Sequence, residues 1–356
     1  MDIETKIALV KGAPISEIVT ENELRQLFET EAHPKHYIGF EISGKVHLGS
    51  GLLTALLLQD FMKAGIKPAI LLADYHAWIN GKLGGDLERI QTVAKGYFKS
   101  AFISLGLSED KVKYVLASEL YEELGKDYWK EVLAISKDTS IQRMLRCTTI
   151  MGRREKDSLD CASVLYPAMQ SAEISALDVD IAHAGMDQRK VHMLAREIAE
   201  KRKRKKPVAV HHRLLMGLQG PQKMGFEENA ADDLEISSKM SKSKPDSCIF
   251  IHDSVEEIRR KMNAAYCPEK TAESNPVMEM CEHFLLRSGK SSLKVTRPAK
   301  FGGDVEFASY AELQSAYVSG KLHPMDLKGA AAQALAETLS PSRKYFEKNP
   351  GLLSGM

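Results

Sequence analysis

The sequence predicts an α/β fold: a doubly wound parallel sheet with a helical insertion, followed by a mainly α-helical C-terminal part. Three observations predict it. First, HYIGFEI (36–42) is an apolar run, SGKVHLGSG is a glycine-punctuated turn, Leu52, Leu53, Leu56 and Leu57 recur at helical spacing, and PAILLAD (68–74) is a second apolar run. Strand, turn, helix and strand in that order make a βαβ unit, the building block of a parallel sheet. Second, DVDIAHAG (178–185) and PVAVHH (207–212) read as further strands around a helix containing MLAREIAEKRKRK. Third, helical periodicity dominates after about residue 252, so a boundary is expected there.

Taken in chain order, Thr20 and Glu23 have the spacing of a capping box that opens a helix carrying Leu24, Leu27 and Phe28. The region from about 85 to 165 reads as mainly helical, with apolar periodicity in AKGYFKSAFISLGL and WKEVLAISK. Lys201 through Lys206 form the run KRKRKK, which reads as a solvated helix end with a salt-sensitive attraction for polyanions. GLQGPQKMGFEENAADDLEISS (217–238) is polar and acidic and reads as a surface loop or insertion. The expected organisation is a Rossmann-like domain over 1–252, with a helical connective region near 85–165, and a mainly helical domain over 253–356.

Composition narrows the function classes without choosing one. Forty-nine basic and 48 acidic side chains nearly cancel, so a polyanion partner has to be met by local patches. Cys147, Cys161, Cys248, Cys267 and Cys281 include no C-x-x-C pair, which argues against a zinc knuckle or redox dithiol and fits reduced thiols. The N-terminal MDIETKIALVKG is too short an apolar stretch for a signal peptide, and no run approaches the roughly 18–20 apolar residues of a membrane span. A cytoplasmic protein without a membrane partner is expected.

Two short stretches carry chemistry. Ser43-Gly44-Lys45-Val46-His47-Leu48-Gly49-Ser50 lies between an expected strand and an expected helix, where free backbone N–H groups and the helix dipole receive phosphate oxygens. Gly49 would let a nucleotide approach the backbone, and His47 would donate to a phosphate whose charge grows during displacement. Read alone, this is also an ordinary strand–helix turn. Lys239-Met240-Ser241-Lys242-Ser243 (239–243) sets two lysines among hydroxyls, which suits a pyrophosphate leaving group needing cationic neutralisation.

HLGS and KMSKS, in this order, resemble the two signature motifs of class I aminoacyl-tRNA synthetases. The resemblance sharpens to the archaeal and eukaryotic tyrosyl-tRNA synthetases. It covers nearly the whole chain, through YIGFEISGKVHLG (37–49), LLADYHAWIN (71–80), LYPAMQ (165–170), GMDQRKVHMLARE (185–197), AYCP (265–268), RPAKFGGD (297–304) and LHPMDLK (322–328).

The resemblance implies ATP as a substrate with Mg²⁺ carried on its phosphates, no dedicated protein metal site, L-tyrosine and tRNA(Tyr) as partners, and a homodimer with its interface around 100–165. It implies ATP contacts from Gly44, His47, Gly49, Ser50, Lys239, Ser241 and Lys242, of which His47, Gly49, Lys239 and Lys242 serve the chemistry. Tyr37, Tyr166, Gln170, Glu173 and Gln188 match positions around the bound tyrosine. Arg189 and Lys190 match residues facing the acceptor stem, and Phe301, His323 and Asp326 match residues at the anticodon. Two departures stand out: Ser50 where the family often has His or Asn, and Glu173 where it generally has Asp. A carboxylate also accepts from an indole N–H, so a tryptophanyl enzyme is the rival specificity. A catalytically silent RNA-binding paralogue is the rival class.

Overall fold

Six strands form one sheet in the order β1–β6–β5–β2–β3–β4, where β1 is Ile15–Val19, β2 Lys35–Glu41, β3 Lys67–Ala73, β4 Lys113–Leu116, β5 Ile181–Gly185 and β6 Val208–His212. The computed structural model describes residues 1–152, 159–222, 230–287 and 292–355. Strands β2 to β6 run parallel, and β1 joins the edge antiparallel to β6. β5 and β6 are buried at every position, as expected of parallel strands covered on both faces by helices. From β2 the chain runs to β3 and β4 on one side, then returns to β5 and β6 on the other. The carboxyl ends of β2 and β5 therefore flank a topological switch point, where open α/β sheets bind ligands.

Two strands were not legible. KYVL (β4) has four residues inside the stretch expected to be mainly helical, and ISEIV (β1) is a half-buried edge with a bulge between Ile15 and Glu17. The expected capping box is present at Glu21–Thr30, with Thr20 accepting from the Glu23 N–H and Glu23 from the Thr20 N–H.

The chain divides into two compact units. One comprises Met1–Gly44, Leu56–Arg213 and Ser354–Met356; the other comprises Lys45–Ala55 and Leu214–Leu353. This division differs from the composition change near 252, and the backbone supplies the reason. Leu48 N–H donates to the Ile249 carbonyl (3.0 Å), Ile251 N–H to that of Val46 (3.1 Å), and His47 bridges Phe250 antiparallel. The glycine turn thus belongs with the segment that follows Leu214.

In the first unit the core beside the sheet gathers Tyr37, Leu71, Tyr121, Tyr128, Met169 and Leu194. In the second unit Val255–Ala264 packs on Pro324–Thr338, burying Ile258, Met262, Leu327 and Leu335, and a short hairpin of β7 (Leu293–Val295) and β8 (Val305–Phe307) accompanies the helices.

Of the stretch read as a surface loop, Ala230–Ser238 is instead a helix, whose Glu235 accepts from the Leu214 N–H (2.8 Å); residues 223–229 lie outside the described ones. The basic run closes the Arg189–Lys201 helix and is exposed except at Arg202, as expected of a solvated helix end, but it also makes ion pairs that the sequence does not show. Arg202 donates to Asp138 and Glu131, Arg204 to Glu131, Lys205 pairs with Asp178 and Asp180, and Lys206 with Glu23. Among the described residues, no helix is long and apolar enough to cross a membrane.

Candidate active site

The Cys161–Ala176 helix carries Tyr166, Gln170 and Glu173 at spacings of four and three, so one face presents all three to the sheet. All are buried, at 6%, 8% and 1% exposure, which excludes a surface position for Gln170 or Glu173. Asp160 caps the helix by accepting from the Ser163 N–H (2.7 Å). Tyr37, on the central strand β2 in register with Ala69 and Ala182, is also buried. Its hydroxyl would lie 2.7 Å from a Cβ on Gly39, so only glycine two residues further leaves room for the phenol. Gln188 follows β5 through the turn Met186–Gln188; its amide donates to the Ile150 carbonyl (3.0 Å), and its Oε1 accepts from the Gln170 amide (3.3 Å).

The five residues matched to an amino-acid pocket therefore meet in one place. Burial, with the Glu173 charge beside them, pushes the Tyr37 and Tyr121 phenols well above their ordinary range; Tyr166 rises through burial and then the Glu41 charge. These hydroxyls stay protonated at neutral pH.

Sequence reasoning missed the groups that surround Glu173. His76 Nε2 donates to Glu173 Oε1 (2.7 Å), and the Tyr121 hydroxyl donates to the same oxygen. Tyr121 stacks between Tyr128, at 3.9 Å between centroids, and Tyr75, at 5.5 Å. His76 lies inside LLADYHAWIN, where nothing local distinguishes it from a packed helix residue. No local pattern marks Tyr121.

In the second unit HLGS sits at the N-terminus of the Leu52–Lys63 helix. Gly49 N–H donates to His47 Nδ1 (3.2 Å), which fixes the imidazole with its proton on Nε2. Burial, and then the charges of Lys242 and Lys239, depress His47 to about 3. His47 is thus an uncharged N–H donor, and both lysines are near enough for their charges to be felt. A Cβ on Gly49 would lie 3.2 Å from His47 Cε1, so the glycine keeps the ring in place as well as the backbone open. Ser50 stays local: its hydroxyl approaches the His47 N–H at 3.4 Å. Gly44, with φ +119°, makes the bend before the motif.

The lysine segment is anchored by its second residue. Met240 is buried and its N–H donates to the Leu215 carbonyl (2.7 Å); Lys239 bridges Met216. Ser241 and Ser243 share a hydroxyl hydrogen bond of 2.9 Å, and Ser247 Oγ donates to the Ser241 carbonyl (3.2 Å). The half-buried Lys242 follows from this frame.

The residues matched to tRNA contacts fall in both units, Arg189 and Lys190 in the first and Phe301, His323 and Asp326 in the second. Arg189 is held by Glu17 through Nε (2.8 Å) and Nη2 (2.8 Å), and Lys190 Nζ donates to Thr149 Oγ1 (3.2 Å). Burial raises the Glu17 carboxyl, but the hydrogen bonds and charges of Arg189 and His211 outweigh it and leave it lowered. Phe301 is 59% exposed, so it is not packed on its own domain. Its loop is tied down by Arg297, which donates to the Gly303 carbonyl (2.8 Å) and to that of Lys321 (2.9 Å). His323, not Asp326, caps the Pro324–Thr338 helix, its Nδ1 accepting from the Met325 N–H (3.2 Å); Asp326 lies in the first turn.

The first unit carries a buried polar cluster on a doubly wound α/β sheet, and the second carries HLGS and KMSKS. The chain matches the model of class I tRNA synthetases (W and Y) over residues 29–235 and 229–340, and it belongs to that family. Its relatives include the tyrosine–tRNA ligases of Thermococcus gammatolerans (50% identical) and Thermococcus sibiricus (49%), each covering 98% of this chain and 96% of the relative. Tyrosyl-tRNA synthetase from Pyrococcus horikoshii, solved with L-tyrosine, superposes with a TM-score of 0.93 at 48% identity, covering 100% of this chain and 99% of that one. A tryptophanyl-tRNA synthetase from Aeropyrum pernix shares the fold at a TM-score of 0.69 and 20% identity.

Proposed function

We propose that this chain is a tyrosine–tRNA ligase, activating L-tyrosine with ATP to tyrosyl-adenylate and transferring it to the 3′ end of tRNA(Tyr). The observation that carries the amino-acid assignment is the buried carboxylate of Glu173, on the same helix face as Tyr166 and Gln170 and within the field of Tyr37. A buried acceptor that a hydroxyl satisfies, and a bare phenyl ring does not, selects tyrosine over phenylalanine. Glu173 and Tyr37 address the phenol; Tyr166, Gln170 and Gln188 address the ammonium and nearby polar atoms. Similarity near 50% to tyrosine ligases over nearly the whole chain favours tyrosine over tryptophan.

The tyrosine carboxylate attacks the α-phosphate of ATP, and pyrophosphate leaves. The ribose hydroxyl at the tRNA terminus then attacks the adenylate carbonyl, the bond from that carbonyl carbon to the phosphate oxygen breaks, and AMP leaves as the hydroxyl gives up its proton. No side-chain nucleophile is required, so rate rests on positioning and charge stabilisation. ATP enters with Mg²⁺ on its phosphates. The His47 Nε2–H donates to phosphate without carrying charge, Gly44, Gly49 and Ser50 line the approach, and Lys239 and Lys242 neutralise the departing pyrophosphate while the Ser241 hydroxyl donates to it. Arg189 and Lys190 face the acceptor stem, while Phe301 stacks on an anticodon base whose edges His323 and Asp326 read. Trp129, Leu133, Ile141 and Leu165 are large apolar side chains left exposed in the 100–165 region, which supports a homodimer formed there.

Amino-acid-dependent ATP–pyrophosphate exchange with tyrosine, tryptophan and phenylalanine tests the assignment. Exchange with tyrosine alone is expected. Exchange with tryptophan alone overturns the specificity, and no exchange with any of the three supports the silent RNA-binding paralogue.

A further inference from the structure

Glu173 makes two hydrogen bonds, and both end on Oε1: from His76 Nε2 and from the Tyr121 hydroxyl. Oε2 accepts none from the described residues, although the side chain is only 1% exposed. Oε2 is not among the fully buried polar atoms without a partner, so it keeps the access through which a donor on a ligand can reach it.

The two donors are themselves fixed. Tyr121, on Ala117–Leu124, is stacked with Tyr75 from Asp74–Ile79 and Tyr128 from Lys126–Asp138, at interplanar angles of 19° and 14°. Its hydroxyl therefore has one place to point. The His76 ring meets Tyr166 edge-on at 4.1 Å, and among the described residues its Nδ1 is buried with no partner, so Glu173 is its one side-chain hydrogen bond there. A glutamate has one more torsion than an aspartate, and two donors converging on one oxygen remove that freedom.

We propose that Tyr121 and His76 are positioning residues that clamp Oε1 of Glu173 and present Oε2 to the para-hydroxyl of the bound amino acid, so that the Tyr121 hydroxyl helps decide between tyrosine and phenylalanine without touching either. The carboxylate then has two phenol partners, an internal one on Oε1 and the substrate's on Oε2. This rests on Glu173 being the phenol acceptor.

The test compares the full-length wild type with Tyr121→Phe, Glu173→Gln and the double variant in ATP–pyrophosphate exchange, using tyrosine and phenylalanine. Where phenylalanine turnover is below detection, its Ki against tyrosine exchange replaces its KM. Tyr121→Phe keeps the ring in its stack and is expected to lower kcat/KM for tyrosine about tenfold, chiefly through KM, while changing that for phenylalanine by no more than about twofold. In the Glu173→Gln background the same change should leave the ratio between the two amino acids where it was. A Tyr121→Phe ratio equal to wild type, or equal losses for both substrates, overturns the proposal and makes Tyr121 a packing residue. If Glu173→Gln itself leaves the ratio intact, the acceptor reading fails, and the clamp with it.

Discussion

The proposed amino-acid pocket and the motifs proposed to bind phosphate are built from opposite materials. Glu173, Tyr121 and His76 are buried, the hydrogen-bonding partners of Glu173 are side chains, and aromatic stacking fixes the Tyr121 ring. Around HLGS and KMSKS the fixed parts are backbone: the Val46–Leu48 bridge to Ile249–Ile251, the Met240 anchor, and a helix N-terminus. The side chains that carry charge there are only half-buried. A pocket that must reject a near-isostere needs a rigid acceptor, whereas a site whose charge appears in the transition state needs cations aimed at that charge. Substitutions in the pocket should therefore alter choice and stability, and those in the motifs should alter rate.

Lys242→Ala gives the largest separation of the two. Adenylate formation, measured by rapid quench, is expected to slow by about 10²–10³, the usual consequence of removing one group aimed at transition-state charge. Tyrosine binding measured at equilibrium should change little, and so should the melting temperature. Equal loss of rate and binding would mean that the loop shapes the pocket, which would break the contrast.

Next in size is the response of the pocket's sheet to acid. His36 Nε2 and His183 Nδ1 lie 3.1 Å apart, and His183 Nε2 and His212 Nδ1 lie 2.9 Å apart, in a buried chain across β2, β5 and β6. Burial depresses His36 to about 3 and His212 to about 4, and it also lowers His183. The unfolded chain takes up protons near the ordinary value of 6.5 while the folded one refuses them. Stability is therefore full above 6.5 and falls as the pH drops below it. By pH 5 each of His36 and His212 has withdrawn about 2 kcal/mol, read as a fall in urea-unfolding free energy between pH 7 and pH 5. His47 is depressed in the same way but through the second unit, so pH–rate profiles should show no acid limb from it above pH 5.

The sequence made the pocket half-legible, for a physical reason. Tyr166, Gln170 and Glu173 share one helix, and periodicity alone places them on one face. Tyr37 and Gln188 follow from strands that end at the switch point. Tyr121 and His76 reach Glu173 from 52 and 97 residues away in the chain, through helices whose pattern says only that they are packed. The same limit hid the ion pairs of KRKRKK, because Glu131, Asp138 and Asp178 are remote acids that no local charge count connects to the run. The motifs were legible because backbone dominates them, and glycine, hydroxyl and lysine in a short string report backbone geometry directly.

Phe301→Ala asks whether the second unit separates its own tasks. The ring is 59% exposed, with Lys300 Nζ 4.9 Å from its centre, on a loop that Arg297 holds. Losing a base-stacking partner should raise KM for tRNA about tenfold in aminoacylation, with tRNA-independent exchange unchanged. A loss in exchange as well would show that the loop serves adenylation.

Gly49→Ala is the finest probe, because it moves the proposed phosphate donor His47 without removing it. The new methyl would sit 3.2 Å from His47 Cε1 and 3.4 Å from the Leu215 Cβ, so the imidazole has to shift by a few tenths of an ångström. The Gly49 N–H that holds Nδ1, and with it the direction of the Nε2 proton, shifts too. Misplacement on this scale should slow adenylate formation about fivefold while leaving tyrosine affinity as it was. If affinity falls instead, the glycine turn contributes to amino-acid binding, and the separation between a rigid side-chain pocket and a backbone-built phosphate site is less complete than their construction indicates.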